Sequence, residues 1–120
     1  MTGLKNLCKA GVFFIVLTSF SMFGQRQFGG ATLYTVRDEM ATAPEETIDE
    51  VSEIGYLYIE AAGYSDGKFY GMTPKEFKKL LSKYHTKPLS SHQGGVTMEN
   101  VDQMIKDVKK AGFKYFVTDL

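Results

Sequence analysis

The hydrophobic positions beyond residue 30 follow two alternating patterns, which are short continuous runs and longer segments with apolar residues every three or four positions. The continuous runs are rich in β-branched and aromatic residues, which is typical of strands. The segments between them have the period of a helix. The pattern therefore predicts four strands, at residues 31–36, 56–62, 86–91 and 113–118.

Three helices are predicted between these strands. The first begins at Pro44, in a position where no backbone N–H is needed, and ends at Gly55. The second begins at Thr73, which forms a capping box with Glu76. We expect Thr97 to cap the third. Their apolar stripes are Ile48, Val51 and Ile54 in the first helix; Phe77, Leu80, Leu81 and Tyr84 in the second; and Val101, Met104, Ile105 and Val108 in the third.

The order of elements is typical of parallel β-α-β units. Residues 53–59 weakly resemble residues 110–116, and the glycines in these two segments lie two units of about 28 residues apart, which suits a (β/α) barrel. A doubly wound sheet is the alternative, but the first turn lacks the Gly-rich dinucleotide motif and no phosphate-binding P-loop is found. The predicted fold class is therefore α/β, a partial TIM barrel comprising the first four strands with three intervening helices, preceded by a signal-peptide helix.

The start of the chain has the pattern of a secretory signal peptide. Lys5 and Lys9 precede an apolar stretch between residues 11 and 23, which is too short to span a membrane comfortably. Small residues at Ser19 and Ser21 suit a cleavage site. An uncleaved membrane anchor is the alternative.

This reading divides the chain into three parts. Residues 1–24 are the signal peptide, residues 25–30 a linker, and residues 31–120 the amino-terminal half of the barrel. The expected location is periplasmic or extracellular. We expect no association with a membrane once the signal has been removed.

Charge and cysteine content exclude several classes of function. Without residues 1–24, the chain carries 12 Lys and Arg against 14 Asp and Glu, a net charge of −2. Such a balance provides no basic surface for nucleic acid or anionic lipid. The only cysteine, Cys8, lies in the predicted leader, so the remainder has neither a disulfide framework nor a thiolate metal site.

Functional groups in parallel α/β folds collect at the carboxyl ends of the strands. The catalytic signatures Ser-His-Asp, H-E-x-x-H and Cys-x-x-Cys are absent from the sequence, so the catalytic residues remain unknown. The polar and aromatic candidates after the four strands are Tyr34, Arg37 and Asp38; Glu60, Tyr64 and Asp66; Ser90, Ser91 and His92; and Asp119.

Three of these candidates have a chemical reason to bind a ligand. Strand alternation places Glu60 opposite the apolar face, where its carboxylate would bind substrate or metal, or would pair with Arg37. His92 suits a metal or a sugar hydroxyl, or is an ordinary loop residue. Arg37 suits an anionic or polyhydroxylated ligand, or belongs to a surface ion-pair cluster.

Three segments resemble the opening of secreted sugar phosphate isomerase/epimerase proteins, in the xylose isomerase-like TIM-barrel superfamily. They are residues 33–40 (LYTVRDEM), residues 54–64 (IGYLYIEAAGY) and residues 88–92 (PLSSH). The resemblance covers residues 31–120. It implies an enzyme that uses a divalent metal to isomerise or epimerise a sugar or sugar derivative, through an enediol-like intermediate.

The resemblance also implies roles for individual residues. Glu60 and His92 match positions that line the family's pocket, and Tyr34 and Arg37 match its first-strand motif, so these four are expected to bind a small sugar substrate. The family's metal ligands come mainly from later strands. A divalent metal is thus expected in the full-length family member, but this fragment is not expected to bind one well or to be active.

Two further expectations concern partners and alternative functions. A half-barrel would leave the first and fourth strands as open sheet edges, through which the chain could self-associate. Nucleic acid is not an expected partner. The alternative functions are lyase or hydrolase action on oxidised glycosides with the same barrel, or a non-enzymatic carbohydrate-binding fragment.

Overall fold

The computed structural model describes residues 29–119. The predicted signal peptide, residues 1–24, and most of the predicted linker, residues 25–30, lie outside this range. Within residues 29–119, no helix has the length and apolar character needed to cross a bilayer.

Four parallel strands form one sheet in the order in which they occur along the chain. They are β1 (Gly30–Thr32), β2 (Tyr58–Ala61), β5 (Lys87–His92) and β6 (Tyr115–Val117), and each is hydrogen-bonded to the next. Strands β1 and β6 are the two edges. The parallel order is confirmed, although β1, β2 and β6 are shorter than predicted and β5 is displaced by one residue.

The described range contains four helices, so the predicted number of three is wrong. The three predicted helices are present, and the additional one follows β1 directly. The helices are α1 (Arg37–Thr42), α2 (Pro44–Ile54), α3 (Pro74–Lys83) and α4 (Val101–Lys110).

Helix α1 occupies a stretch next to the first predicted strand, residues 31–36. The strand ends early because the chain turns, and the Thr35 amide donates to the Thr32 carbonyl at 3.2 Å. The helix that follows buries Met40 completely. Residues 33–36 have strand propensity, but tertiary packing, here the burial of Met40 in the core, can override such a local preference.

The ends of α2 and α3 confirm the predicted capping. In α3 the Glu76 amide donates to Thr73 Oγ1 at 3.3 Å, and the Thr73 amide donates to Glu76 Oε2 at 2.8 Å. Gly55 closes α2 with a φ of 109°, which L side chains rarely adopt. Ile54, the last residue of α2, has the helical spacing of the apolar stripe but is 70% exposed.

Helix α4 begins three residues later than predicted. Asn100, not Thr97, precedes its first turn. The Asn100 side chain accepts a hydrogen bond from the Thr97 amide at 2.8 Å and donates to the Gly95 carbonyl at 2.9 Å. These bonds stabilise a separate turn before the helix, which is the kind of local competition that asparagine provides.

The Gly-rich segment after β2, residues 63–71, contains a small antiparallel hairpin. Its strands are β3 (Tyr64–Ser65) and β4 (Lys68–Phe69). Asp66 and Gly67 connect them with φ values of 51° and 78°. Positive φ at both central residues is the requirement of a tight two-residue hairpin, which Asp-Gly meets well.

Pro88 lies inside β5 without breaking the sheet. It is paired with Ile59, and the register between β2 and β5 shifts immediately afterwards, so that Glu60 pairs with Ser90. Such an irregularity accommodates a residue that cannot donate to the ladder.

The core lies between the helices and one face of the sheet. Ile59 and Ala61 are fully buried on that face. Phe69 from the hairpin stacks on Phe77 of α3 at a centroid distance of 5.5 Å, and lies equally close to Phe113. The predicted alternation of apolar and polar side chains in β2 is confirmed. We call the face of the sheet opposite the core, which carries Glu60, the barrel-facing side.

Candidate functional site

A cavity of about 380 Å³ lies at the carboxyl ends of the parallel strands. We call it the rim groove. Because all four strands of the sheet run in the same direction, their final residues and the loops that follow reach one edge. The groove is lined by Thr32, Tyr34, Ala62, His92, Gly94 and Asp119.

His92 and Asp119 form the polar pair of the rim groove. His92 ends β5 and Asp119 follows β6, and the two strands are neighbours in the sheet. His92 Nε2 lies 3.3 Å from Asp119 Oδ1. The side chains are 41% and 85% exposed, so both can still reach a ligand. Asp119 belongs to the strand-end candidates of the sequence, but its pairing with His92 could not be read from spacing.

Tyr34 projects from the turn between β1 and α1 and is 61% exposed. Arg37 supports it from the first turn of α1. The Arg37 guanidinium lies 5.1 Å from the centre of the Tyr34 ring, and its Nη1 donates to the Tyr34 carbonyl at 3.3 Å. Tyr34 thus presents a ring at the groove that a cation covers on one face.

Glu60 lies on the barrel-facing side of the sheet. It lines a smaller cavity of about 290 Å³ together with Thr32, Tyr58 and Ser90, among others. Its Oε2 accepts a hydrogen bond from Ser90 Oγ at 2.6 Å. The alternative of an ion pair between Glu60 and Arg37 is wrong, since the carboxylate that Arg37 approaches is Asp38, at 4.0 Å.

The four predicted substrate-binding residues therefore fall into three neighbouring places. Tyr34 and His92 share the rim groove, and Glu60 lines the barrel-facing cavity, which adjoins it at Thr32. Arg37 lines a third cavity, which adjoins the rim groove at Tyr34 and Ala62. Their binding of a sugar remains a prediction.

The third cavity has a volume of about 650 Å³. We call it the hairpin cavity, because it lies between the turn after β1 and the β3–β4 hairpin. Sequence reasoning did not single out Lys68 or Tyr70, since their alignment at this cavity depends on the unpredicted hairpin. The cavity is lined by Leu33, Tyr34, Arg37, Ala41, Ala62, Gly63, Tyr64, Ser65, Asp66, Lys68, Tyr70 and Gly71.

Two tyrosines fix the hairpin to the rest of the fold. The Tyr70 hydroxyl accepts a hydrogen bond from the Ala62 amide at 2.9 Å, and burial raises the pKa of Tyr70 to about 12. The Tyr64 hydroxyl donates to the buried Asp107 carboxylate at 2.8 Å. Burial and this hydrogen bond raise the pKa of Tyr64 to about 12. Both phenols are therefore protonated at neutral pH.

The described residues do not assemble a metal site. Among residues 29–119, no group of three or more His, Cys, Asp or Glu side chains is arranged to hold an ion. His92 and Asp119 supply two potential donors, fewer than the three protein ligands of a typical catalytic zinc site.

The fold and the position of the site define a partial (β/α) barrel, with its candidate ligand-binding groups at the carboxyl edge. Comparison with known proteins supports this class. No family model and no curated protein matches the chain. Solved structures do match it, among them two crystal structures titled sugar phosphate isomerase/epimerase from Parabacteroides distasonis ATCC 8503.

The first of these structures has a TM-score of 0.62 at 21% sequence identity, with 78% of this chain covered. The second has a TM-score of 0.60 at 23% identity, with 83% covered. The match spans 42% and 41% of those two chains, so this chain corresponds to about two fifths of their length. At this level of identity the similarity establishes the fold, and it confirms the predicted resemblance to sugar phosphate isomerase/epimerase structures.

Proposed function

We propose that this chain is the amino-terminal part of an exported sugar isomerase- or epimerase-like barrel, and that its rim groove binds the hydroxyl groups of a sugar or sugar derivative. The observation that supports this most strongly is the presence of Tyr34 and His92 in one cavity at the carboxyl edge of a parallel sheet. The structural neighbours carry the same family description.

The chemistry of the groove suits a polyhydroxylated ligand. The ring nitrogens of His92 and the carboxylate oxygens of Asp119 are hydrogen-bonding groups, so the pair can bind adjacent hydroxyls of a sugar. The exposed Tyr34 ring provides an apolar face for the C–H groups of a sugar. These residues bind and orient a ligand, which is the part of the reaction that we assign to this chain.

We also propose that the 120-residue chain alone binds a divalent ion weakly and does not isomerise sugars. The family resemblance places the metal ligands mainly on later strands, and the chain matches about two fifths of its structural neighbours. Incubation with Mn²⁺ or Mg²⁺ and either D-glucose or D-fructose should give no isomer. Metal-dependent turnover by this chain would contradict the proposal.

Export and self-association are further parts of the proposal. Export follows from the pattern of residues 1–24, and amino-terminal sequencing of secreted material should show that they have been removed. Self-association is supported by the unpaired outer edges of β1 and β6, which end the four-stranded sheet. Size-exclusion chromatography should show oligomers, whereas a cooperatively folded monomer would contradict this part.

Sugar binding is tested by titrating the chain with D-glucose and D-fructose, followed by ligand-observed NMR. We expect saturable binding that weakens about fivefold in Tyr34→Ala and in His92→Ala, as the loss of one ligand contact implies. Tyr56→Ala is the matched control, because Tyr56 is half-exposed and precedes β2 at the opposite edge. Absence of binding, or equal binding by all variants, would overturn the proposed function.

A further inference from the structure

The hairpin cavity combines two cationic side chains from separate elements. Arg37 comes from the start of α1 and Lys68 from β4, and both line the cavity. Arg37 is held in place by its hydrogen bond to the Tyr34 carbonyl and by its position over the Tyr34 ring. An oriented guanidinium loses less conformational entropy when it binds a ligand than a freely rotating one.

Lys68 has no protein counterion in direct contact. No carboxylate of residues 29–119 lies within 4.0 Å of its ammonium group. Glu76 is near enough for Lys68 to contribute to the lowered pKa of Glu76, but Glu76 Oε2 already accepts two hydrogen bonds of 2.8 Å from Thr73. The ammonium group therefore remains available to a ligand.

The other polar groups of the cavity are largely engaged within the protein. The hydroxyls of Tyr64 and Tyr70 are used by Asp107 and by the Ala62 amide. Asp66, the carboxylate of the cavity, accepts a hydrogen bond from the Ser65 hydroxyl at 3.3 Å. Two cations and one anion line the cavity, Asp38 lies outside the lining at 4.0 Å from Arg37, and guanidinium and ammonium groups can only donate hydrogen bonds. The complementary ligand group is an oxyanion.

The hairpin cavity and the rim groove are adjacent. Tyr34 and Ala62 line both, so one ligand can occupy the two cavities together. We propose that the hairpin cavity is a subsite for an anionic substituent, a phosphate or a carboxylate, carried by the sugar whose hydroxyls lie in the rim groove. Arg37 and Lys68 bind the oxyanion, and the negative charge of Asp66 weakens this binding. This inference rests on the proposed function.

Four ligands test the subsite, each titrated into the 120-residue chain by isothermal calorimetry. D-glucose is the neutral reference, D-glucose 6-phosphate and D-glucuronate are the two anionic forms, and inorganic phosphate is the free anion. We expect at least one anionic sugar to bind about tenfold more tightly than D-glucose, since hydrogen bonds to charged groups are the stronger ones. The anionic sugar whose affinity exceeds that of D-glucose by the larger factor identifies the substituent as phosphate or carboxylate. The gain should shrink as salt is raised.

Variants separate the subsite from the groove. Arg37→Gln and Lys68→Gln should remove the preference for the anionic sugar over D-glucose, with both sugars measured on the same variant, and Lys68→Arg should retain it. Lys109→Gln, an exposed lysine of α4, is the matched control and should change nothing. Asp66→Asn should tighten binding of the anionic sugar. Asparagine tolerates the positive φ at this position, so the fold is preserved.

The outcomes distinguish this inference from the proposed function. If D-glucose binds but the anionic sugars bind no more tightly, or Arg37→Gln and Lys68→Gln keep the preference, the subsite is wrong and the proposed function stands. If no sugar binds but inorganic phosphate binds in a manner that depends on Arg37 and Lys68, the anion site stands and the proposed function fails. If nothing binds, both are wrong.

Discussion

The Ser90 hydroxyl donates a hydrogen bond of 2.6 Å to the Glu60 carboxylate, joining β5 to β2 on the barrel-facing side of the sheet. The two residues are also partners in the strand register, immediately after the irregularity next to Pro88. The bond therefore depends on the shifted register. It satisfies a carboxylate that strand alternation places on this side.

Ser90→Ala should lower the free energy of unfolding by about 1–2 kcal/mol, because it leaves the partly buried Glu60 carboxylate without this donor. Urea denaturation of both proteins measures the change. Ser82→Ala is the matched control, because Ser82 lies exposed in α3, where alanine is well tolerated. Equal losses in the two variants would contradict the role of the Ser90 bond.

Gly63→Ala should lower the free energy of unfolding by about 2–3 kcal/mol, because the added methyl group overpacks a tight contact. A methyl group at Gly63 would lie 2.1 Å from Tyr70 Cε1, a distance that no packing allows. Gly94→Ala is the control, since nothing lies within 4 Å of a methyl group there and its φ is not positive. Denaturation curves that coincide for the two variants would show that the Tyr70 ring does not cover Gly63.

The hairpin should detach when its anchor in α4 is removed. Asp107→Ala leaves the Tyr64 hydroxyl without its acceptor and also removes a 3.1 Å contact with Gln103 Nε2. We expect the amides of residues 64–69 to exchange with solvent about tenfold faster, as a local opening cost lowered by about 1.4 kcal/mol implies. Hydrogen–deuterium exchange of wild type and variant measures this. Unchanged exchange in the hairpin, with faster exchange only elsewhere, would contradict the tether.

Stability should fall at alkaline pH. Tyr64 and Tyr70 have pKa values of about 12 in the folded protein, against the ordinary 10.0, so the folded state holds these protons more tightly than the unfolded state. A raised pKa of this kind contributes stability that is complete below pH 10 and is lost as pH rises towards 12. Urea unfolding at pH 9 and pH 11.5 measures the loss, which Tyr70→Phe should reduce. A pH-independent stability across this window would contradict the buried position of Tyr70.

Much of the architecture follows from local sequence signals. The capping box at Thr73 and Glu76 and the left-handed glycine at Gly55 depend on neighbouring residues alone, and both are where the sequence predicts them. The parallel sheet follows from the alternation of strands and helices. These features required no knowledge of distant contacts.

The structure differs from the prediction made from sequence where distant contacts determine the backbone conformation. Residues 33–36 favour a strand, yet the chain turns early and begins α1, whose Met40 is fully buried in the core. Asn100 uses its side chain to stabilise a turn at Thr97, which delays α4. The place of Lys68 in the site could not be predicted from sequence for the same reason, because Lys68 lines a cavity only when the hairpin forms.

In the proposed function, groups from separate strands form one ligand-binding edge. Backbone amide NMR of the chain during a titration with D-fructose tests it directly. We expect that the amides of Thr32, Ala62 and Gly94, which lie at or just after the carboxyl ends of β1, β2 and β5, shift together with one dissociation constant. Shifts confined to the opposite edge, at Tyr56 and Thr86, or no shift at any of these amides, would contradict it.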